Sequence, residues 1–289
     1  MSRLALGTVQ FGLSYGVANQ LGQVSRASAK AMLELAAGQG VDTLDTAIAY
    51  GESEACLGEA GTGRFKVVSK LPALPEGCTA VDAWVQEQLS LSLARLGTGS
   101  LYGLLLHRPE HLLEGGGAAL YQALQRLKEA GLVQKIGVSI YDPRQLDILM
   151  PHYKFDLVQA PLNLVDRRLQ ASGWLQRLKE EGVEVHTRSA FLQGLLLMPR
   201  PAIPARFAPW AALWDRWHTW LAKHELPAVQ ACLAYPLSLP GVDRVVVGAD
   251  SVGQLSEVLQ AAAAGGSPDF PDLQCDEEDL INPARWSLP

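Results

Sequence analysis

Four residues of this chain carry side chains suited to proton chemistry, and each stands where an apolar run gives way to a loop. Leu44-Asp45 ends on an acid, with Tyr50 one short loop further on. Val67-Val68-Ser69-Lys70 ends on a lysine, and Leu104-Leu105-Leu106-His107 ends on a histidine. A free phenol, with a pKa of about 10, holds its proton too tightly to be an efficient donor at neutral pH. A neighbouring ammonium favours the phenolate and lowers that value. Lys70 is the candidate ammonium, and a lysine closing an apolar strand needs a counter-ion that Asp45 can supply. His107 can hydrogen-bond a substrate oxygen and orient it. Each residue alone has a plainer reading: Tyr50 as packing, Asp45 and Lys70 as a structural ion pair, His107 as a satisfied core histidine. Together, at strand ends of one predicted barrel face, they read as a proton-donating site.

The elements that must position them are short apolar runs alternating with longer amphipathic stretches. Candidate strands are Leu4–Gly7, Val41–Asp45, Lys66–Lys70, Tyr102–His107, Lys135–Ser139, Leu157–Gln159, Val183–Ser189 and Arg244–Gly248. Each is followed by a segment that can be helical, which predicts a closed (β/α)8 TIM barrel of parallel strands with helices outside. The near-continuous apolar character of the strands fits a sheet covered on both faces. Ser25 can N-cap the first helix, with Gly38 or Gly40 ending it. Asp142-Pro143 starts the fifth, and Ser251 with Gln254 makes a capping box for the eighth. The fourth is expected from about Ala118 to Ala130. Between the seventh strand and its helix lies Phe191–Pro209, an insert of the kind that shapes substrate loops. Trp210, Trp214 and Trp217 follow at helical spacing and are expected to pack that helix onto the barrel. Residues 1–289 are expected to form one barrel domain, with an irregular tail from about Gly265.

Composition narrows the classes further. Hydrophobic residues make up 48% and charged residues 19%, which fits an enzyme-like globular chain. The net charge is −6, and the 24 basic residues form no cluster, so neither nucleic acid nor an anionic membrane is an expected partner. Cys56, Cys78, Cys232 and Cys275 are scattered, which argues against a disulfide framework or zinc site and for a cytoplasmic setting. The first residues lack a signal-peptide core, and no apolar run approaches the ~20 residues that span a bilayer. No carboxylate–histidine cluster suggests a metal, which disfavours a metal-dependent lyase.

The order and spacing of these residues resemble the aldo-keto reductase superfamily, in its smaller bacterial branch. The resemblance rests on Gly7-Thr8, Asp45-Thr46-Ala47 with Tyr50-Gly51, Ser69-Lys70, His107-Arg108-Pro109 and Gly137-Val138-Ser139. It continues through Gln159 with Asn163, Ser189 with Gln193-Gly194, and Gly248 with Gln254-Leu255. It implies an NADP- or NAD-dependent oxidoreductase that transfers hydride to an aldehyde or ketone, or oxidises an aldose or alcohol. Tyr50 would be the proton donor, Lys70 would lower its pKa, Asp45 would hold Lys70, and His107 would orient the carbonyl. Ser139 and Gln159 would meet the nicotinamide carboxamide, Thr8 and Val9 the nicotinamide end, and Ser189 the pyrophosphate. Ser251 would face the adenosine phosphate, with Asp45, Arg188, Phe191, Gly194, Gly248 and Gln254 completing the cofactor set.

Three positions depart from the family pattern. Ile140 stands where Asn usually follows Ser139, which puts one carboxamide hydrogen bond in doubt. Arg188 stands where many members stack an aromatic on the nicotinamide. A guanidinium can stack on a flat ring, and the plainer reading is a rim arginine paired with an acid. Around Asp250, Ser251 and Glu257 there is no base, and no Lys or Arg occurs between Arg244 and Arg285. An acid repels the 2′-phosphate of NADP and suits the free ribose of NAD, so both nucleotides stay open. A small carbonyl compound or sugar is the expected partner. The insert residues Phe191, Leu195, Leu196, Leu197 and Met198 are expected to form an apolar pocket wall. The competing reading is a non-catalytic, cofactor-sensing or regulatory protein on the same barrel. Oligomeric state is not legible.

Overall fold

The computed structural model describes residues 2–266 and 269–286. Eight parallel strands close on themselves: β1 (Leu4–Gly7), β2 (Thr43–Asp45), β3 (Lys66–Leu71), β4 (Leu101–Leu106), β5 (Val133–Ser139), β6 (Leu157–Pro161), β7 (Glu184–Arg188) and β8 (Arg244–Val247). Each pairs with the next, and β8 pairs with β1 through Leu4↔Val245 to Leu6↔Val247. The architecture is a (β/α)8 TIM barrel, with helices between the strands. No helix among the described residues is long and apolar enough to cross a membrane.

The interior of the barrel explains how the strand ends become a site. Val68, Leu105 and Leu157 form a small buried cluster of their own, packed by Tyr102. Side chains on a strand alternate between faces, so the residue two positions on shares the same face. Two residues beyond that cluster stand Lys70, His107 and Gln159. The interior row that is apolar in the middle therefore turns polar at the C-terminal ends of the strands. At the opposite end a polar plug closes the barrel. There Glu184 accepts from Tyr102 Oη at 2.6 Å and pairs with Lys135 and His186.

Helix ends follow local chemistry, with small shifts from expectation. Ser25 Oγ accepts from Ser28 N at 3.2 Å and caps the helix Arg26–Gly38. The fourth helix runs Gly117–Glu129. The fifth runs Arg144–Leu149, with Pro143 already in helical conformation ahead of it and Asp142 Oδ1 accepting from Arg144 N at 2.8 Å, as expected from Asp142-Pro143. At the last barrel helix, Val252–Ala264, Ser251 Oγ accepts from Gln254 N at 3.2 Å. The return bond of the capping box slips by one residue, with Asp250 N donating to Gln254 Oε1 at 2.8 Å.

Two helices, Ala211–His224 and Ala228–Ser238, stand between β7 and β8 where one was expected. Trp214 and Trp217 are fully buried, and their indole N–H groups donate to Phe207 O and Leu196 O, so they do pack this segment down. The tail is more ordered than expected. It carries a short helix, Glu278–Ile281, and buries Leu273, Leu280 and Ile281. Its Cys275 N donates to Val165 O at 3.0 Å, which ties it to the loop after β6. Ser267, Pro268 and residues 287–289 of that expected tail lie outside the described residues.

Candidate active site

Asp45 and Lys70 meet inside the barrel mouth. Lys70 Nζ donates to Asp45 Oδ1 at 2.7 Å and to Thr46 O at 2.9 Å, with the lysine only 1% exposed. A buried cation needs this much, since desolvation alone would strip its proton. The other carboxylate oxygen, Asp45 Oδ2, accepts from Gln159 Nε2 at 2.6 Å. Gln159 Oε1 in turn accepts from Ser139 Oγ at 3.1 Å. One acid thus anchors both the lysine on β3 and an amide–hydroxyl pair on β6 and β5.

Tyr50 is set by the turn after β2. Gly12, in the loop after β1, lies so close that a Cβ there would fall 1.8 Å from Tyr50 O, so only glycine allows that loop to pack against this turn. The Lys70 ammonium sits 5.2 Å from the Tyr50 ring centroid. His107 meets the same ring edge-on, with centroids 5.8 Å apart and planes at 80°. The four residues therefore converge.

The electrostatics differ from the sequence expectation. Burial pushes the Tyr50 phenol up, and the Asp45 carboxylate adds to that shift. The net effect is a more tightly held proton, the reverse of the lowering expected from Lys70. The reason is that Asp45 neutralises Lys70 locally, while burial desolvates the phenolate. The cation that does pull the Tyr50 phenol down is Arg188. Lys70 is itself lowered by burial, with Asp45 opposing. His107 is pushed down to about 4, first by burial and then by the Lys70 and Arg188 charges. It is neutral at pH 7 and keeps one ring N–H to donate.

Tyr50 and His107 face a cavity of about 370 Å³ across the barrel mouth. Its wall includes Thr8, Val9, Asp45, Ser139, Gln159, Arg188, Ser189, Phe191, Gly194, Gly248 and Gln254, so these expected residues are brought together. Lys70 lies beneath the wall, acting through its neighbours. Ser251 is off the wall and serves as a helix cap. Ile140 is fully buried and lends the cavity no side-chain polar group. Asn163 does not reach the cavity; its Nδ2 donates to Ser189 O at 3.0 Å and holds the loop after β7. Leu195 and Leu196 join the core, leaving Phe191 and Leu197 as the insert's apolar contribution to the wall.

Among the described residues, Arg188 is not paired with an acid. Its Nη2 donates to Ile140 O at 3.0 Å, its Nη1 to Ser189 Oγ at 3.3 Å, and its guanidinium carbon lies 4.4 Å from the Tyr141 ring centroid. The loop beyond it is bent by left-handed backbone at Ser189, Leu192 and Gln193, with φ of 64°, 48° and 52°. Left-handed L-residues are disfavoured, and such strain clusters at functional loops.

Several wall residues carried no sequence signal: Gln10, Tyr15, Asn19 and Tyr141. They come from loops after β1 and β5, where no periodicity applies. Asn19 Nδ2 donates to Asp250 Oδ1 at 3.3 Å, and Gln193 Nε2 donates to Tyr15 Oη at 3.0 Å, so the β1 loop bridges to the loops after β7 and β8. At Gly248 a Cβ would fall 2.6 Å from Gln10 Nε2, so glycine leaves the space that Gln10 occupies. Gln10 Oε1 and Gln193 Oε1 are buried on this wall with no hydrogen-bond partner.

Comparison with known proteins agrees with the geometry. The aldo/keto reductase family model matches residues 3–269. The chain is 27% identical over 195 residues to a D-threo-aldose 1-dehydrogenase of a Pseudomonas species, a match covering 62% of this chain and 57% of that protein's length. It is 24% identical over 289 residues to the oxidoreductase YqkF of Bacillus subtilis, covering 91% of this chain and 92% of that one. Among solved structures, the holo form of aldo-keto reductase AKR11C1 from Bacillus halodurans superposes with a TM-score of 0.76 at 20% identity, covering 96% of this chain and 94% of that chain, which shows a shared fold. A chain matched over nearly its whole length by that family model, with this barrel and this cluster at its mouth, belongs to the aldo/keto reductase family.

Proposed function

We propose that the protein is an NAD(P)H-dependent oxidoreductase that reduces an aldehyde or ketone, with Tyr50 as proton donor. The observation that carries this is the buried Asp45–Lys70 pair beneath Tyr50, with neutral His107 edge-on to the same phenol. The residues present fit a nicotinamide nucleotide. Ser139 and Gln159 stand on the cavity wall, and the unpartnered acceptors Gln10 Oε1 and Gln193 Oε1 suit donors of an amide or of ribose. A reduced nicotinamide, when bound, supplies the hydride that goes to the carbonyl carbon.

The chain's own groups manage the oxygen. His107 donates an N–H to the carbonyl oxygen and orients it, as a neutral imidazole can. As the carbonyl π electrons move onto oxygen, the Tyr50 phenol delivers its proton there. An alkoxide is more basic than a phenolate, so the transfer is downhill even from a phenol whose burial holds its proton tightly. The phenolate left behind is stabilised by the Lys70 ammonium and the Arg188 guanidinium until solvent reprotonates it. Run backwards, the same groups oxidise an alcohol, and the similarity to a D-threo-aldose 1-dehydrogenase supports a sugar as one substrate type. The acidic end of the cavity, at Asp250 and Glu257, supports NADH over NADPH.

The test is turnover of 4-nitrobenzaldehyde with NADH or NADPH by the full chain and by Tyr50→Phe. The variant is expected to lose roughly a hundredfold or more in kcat while binding the nucleotide as tightly as before. A wild-type chain that binds a nucleotide but turns over no carbonyl or alcohol would replace this reading with the regulatory one.

A further inference from the structure

Arg188 has the makings of a binding residue. It ends β7 on the cavity wall, half-buried, and among the described residues it is the one cationic side chain there, since Lys70 lies beneath the wall and His107 is neutral. Its known partners are all neutral: Ile140 O, Ser189 Oγ and the face of Tyr141. They fix the guanidinium plane without discharging it, and most of its N–H groups remain free. The nearest acid in the reacting centre, Asp45, is already committed to Lys70 and Gln159. The charge of Arg188 nevertheless acts on Tyr50, His107 and Lys70 together, which places it at the reacting end of the cavity. The other wall acids, Asp250 and Glu257, belong to the loop and helix after β8. A half-buried, pre-oriented guanidinium without a carboxylate partner is a receptor for one, because its planar fork matches a carboxylate with two parallel hydrogen bonds.

We propose that Arg188 recognises a carboxylate carried by the carbonyl substrate, so that the preferred substrates are semialdehydes, oxo acids or uronic acids over their neutral counterparts. This rests on the oxidoreductase reading above and adds the substrate class. The carbonyl oxygen meets Tyr50 and His107 while the carboxylate meets Arg188, which orients the molecule at two points.

The experiment compares succinic semialdehyde with butanal in the wild type, Arg188→Leu and Arg188→Lys. Alongside, succinate binding is read by calorimetry and NADH and NADPH binding by tryptophan fluorescence. Wild type is expected to favour the semialdehyde by about tenfold or more in kcat/KM, mainly through KM. Arg188→Leu should abolish that preference and the succinate binding, lower kcat for both aldehydes by a common factor because the charge near Tyr50 is lost with either, raise KM for the semialdehyde alone, and be partly rescued in Arg188→Lys. Equal kcat/KM for both aldehydes in the wild type overturns the proposal. So does a loss of nucleotide affinity in Arg188→Leu that matches the loss in semialdehyde turnover, since the guanidinium would then serve the nucleotide's phosphates. Should neither aldehyde react, succinate binding decides: Arg188-dependent binding keeps the carboxylate site and discards the reductase reading, and no binding discards the site.

Discussion

Asp45 uses its two carboxylate oxygens for two different strands: Oδ1 takes Lys70 of β3 at 2.7 Å, and Oδ2 takes Gln159 of β6 at 2.6 Å. The pair spans the barrel interior, so one side chain fixes the buried cation and the amide on the opposite wall. Asp45→Asn removes the negative charge that compensates Lys70 and leaves its ammonium with neutral acceptors only, and it turns an amide N–H toward Gln159 Nε2. Removing one partner of a buried ion pair costs about 3–5 kcal/mol. Urea unfolding should show that loss as a lower midpoint at unchanged slope. A midpoint equal to wild type would mean Lys70 is already neutral.

Glu54 tests a second buried carboxylate, behind the same strand. It accepts from Ser69 Oγ and Ser92 Oγ at 2.7 Å each, and from Arg95 Nε and Nη2 at 2.9 and 2.7 Å. Ser69 precedes Lys70, so the network pins β3 where the lysine must stand. Glu54→Ala strands two buried hydroxyls and an arginine, and should cost about 3 kcal/mol or more. The thermal midpoint should fall, with nucleotide binding recovered below the new midpoint.

His107 gives the protein a pH dependence of known sign. Its folded pKa is pushed down to about 4, against 6.5 for an ordinary imidazole. Between those values the unfolded chain binds a proton that the folded chain refuses, so unfolding becomes easier as pH falls from about 6.5 toward 4. Stability measured at pH 7 and at pH 5 should differ more in wild type than in His107→Asn. The same depression keeps His107 neutral from pH 5 to 8, so kcat/KM should show no inflection near 6.5 from this group.

The end of the cavity proposed to hold the nucleotide carries acids and amides: Asp250, Glu257, Asn19 and Gln254. NADH should therefore bind at least as tightly as NADPH in fluorescence titrations. Asp250→Ser should improve NADPH binding by about fivefold, the effect of removing roughly 1 kcal/mol of repulsion. A hundredfold preference for NADPH in the wild type would sink this expectation.

The sequence by itself determined the barrel and singled out Asp45, Tyr50, Lys70 and His107, which the fold brings together. Eight short apolar strands, separated by segments that can be helical, admit few closed folds, and the alternation of side chains carries polarity from Val68, Leu105 and Leu157 to Lys70, His107 and Gln159. Those residues are set by strand position, which a linear pattern records. What only the tertiary structure decided lies in loops and in sums of charge. Gln10, Tyr15, Asn19 and Tyr141 reach the cavity through turns that have no period to read. The upward shift of Tyr50 depends on how burial, Asp45, Arg188 and Tyr141 add in three dimensions. The freedom of Arg188 from any acid is likewise a fact of distance, because the chain holds many carboxylates and the fold places none of those described beside it.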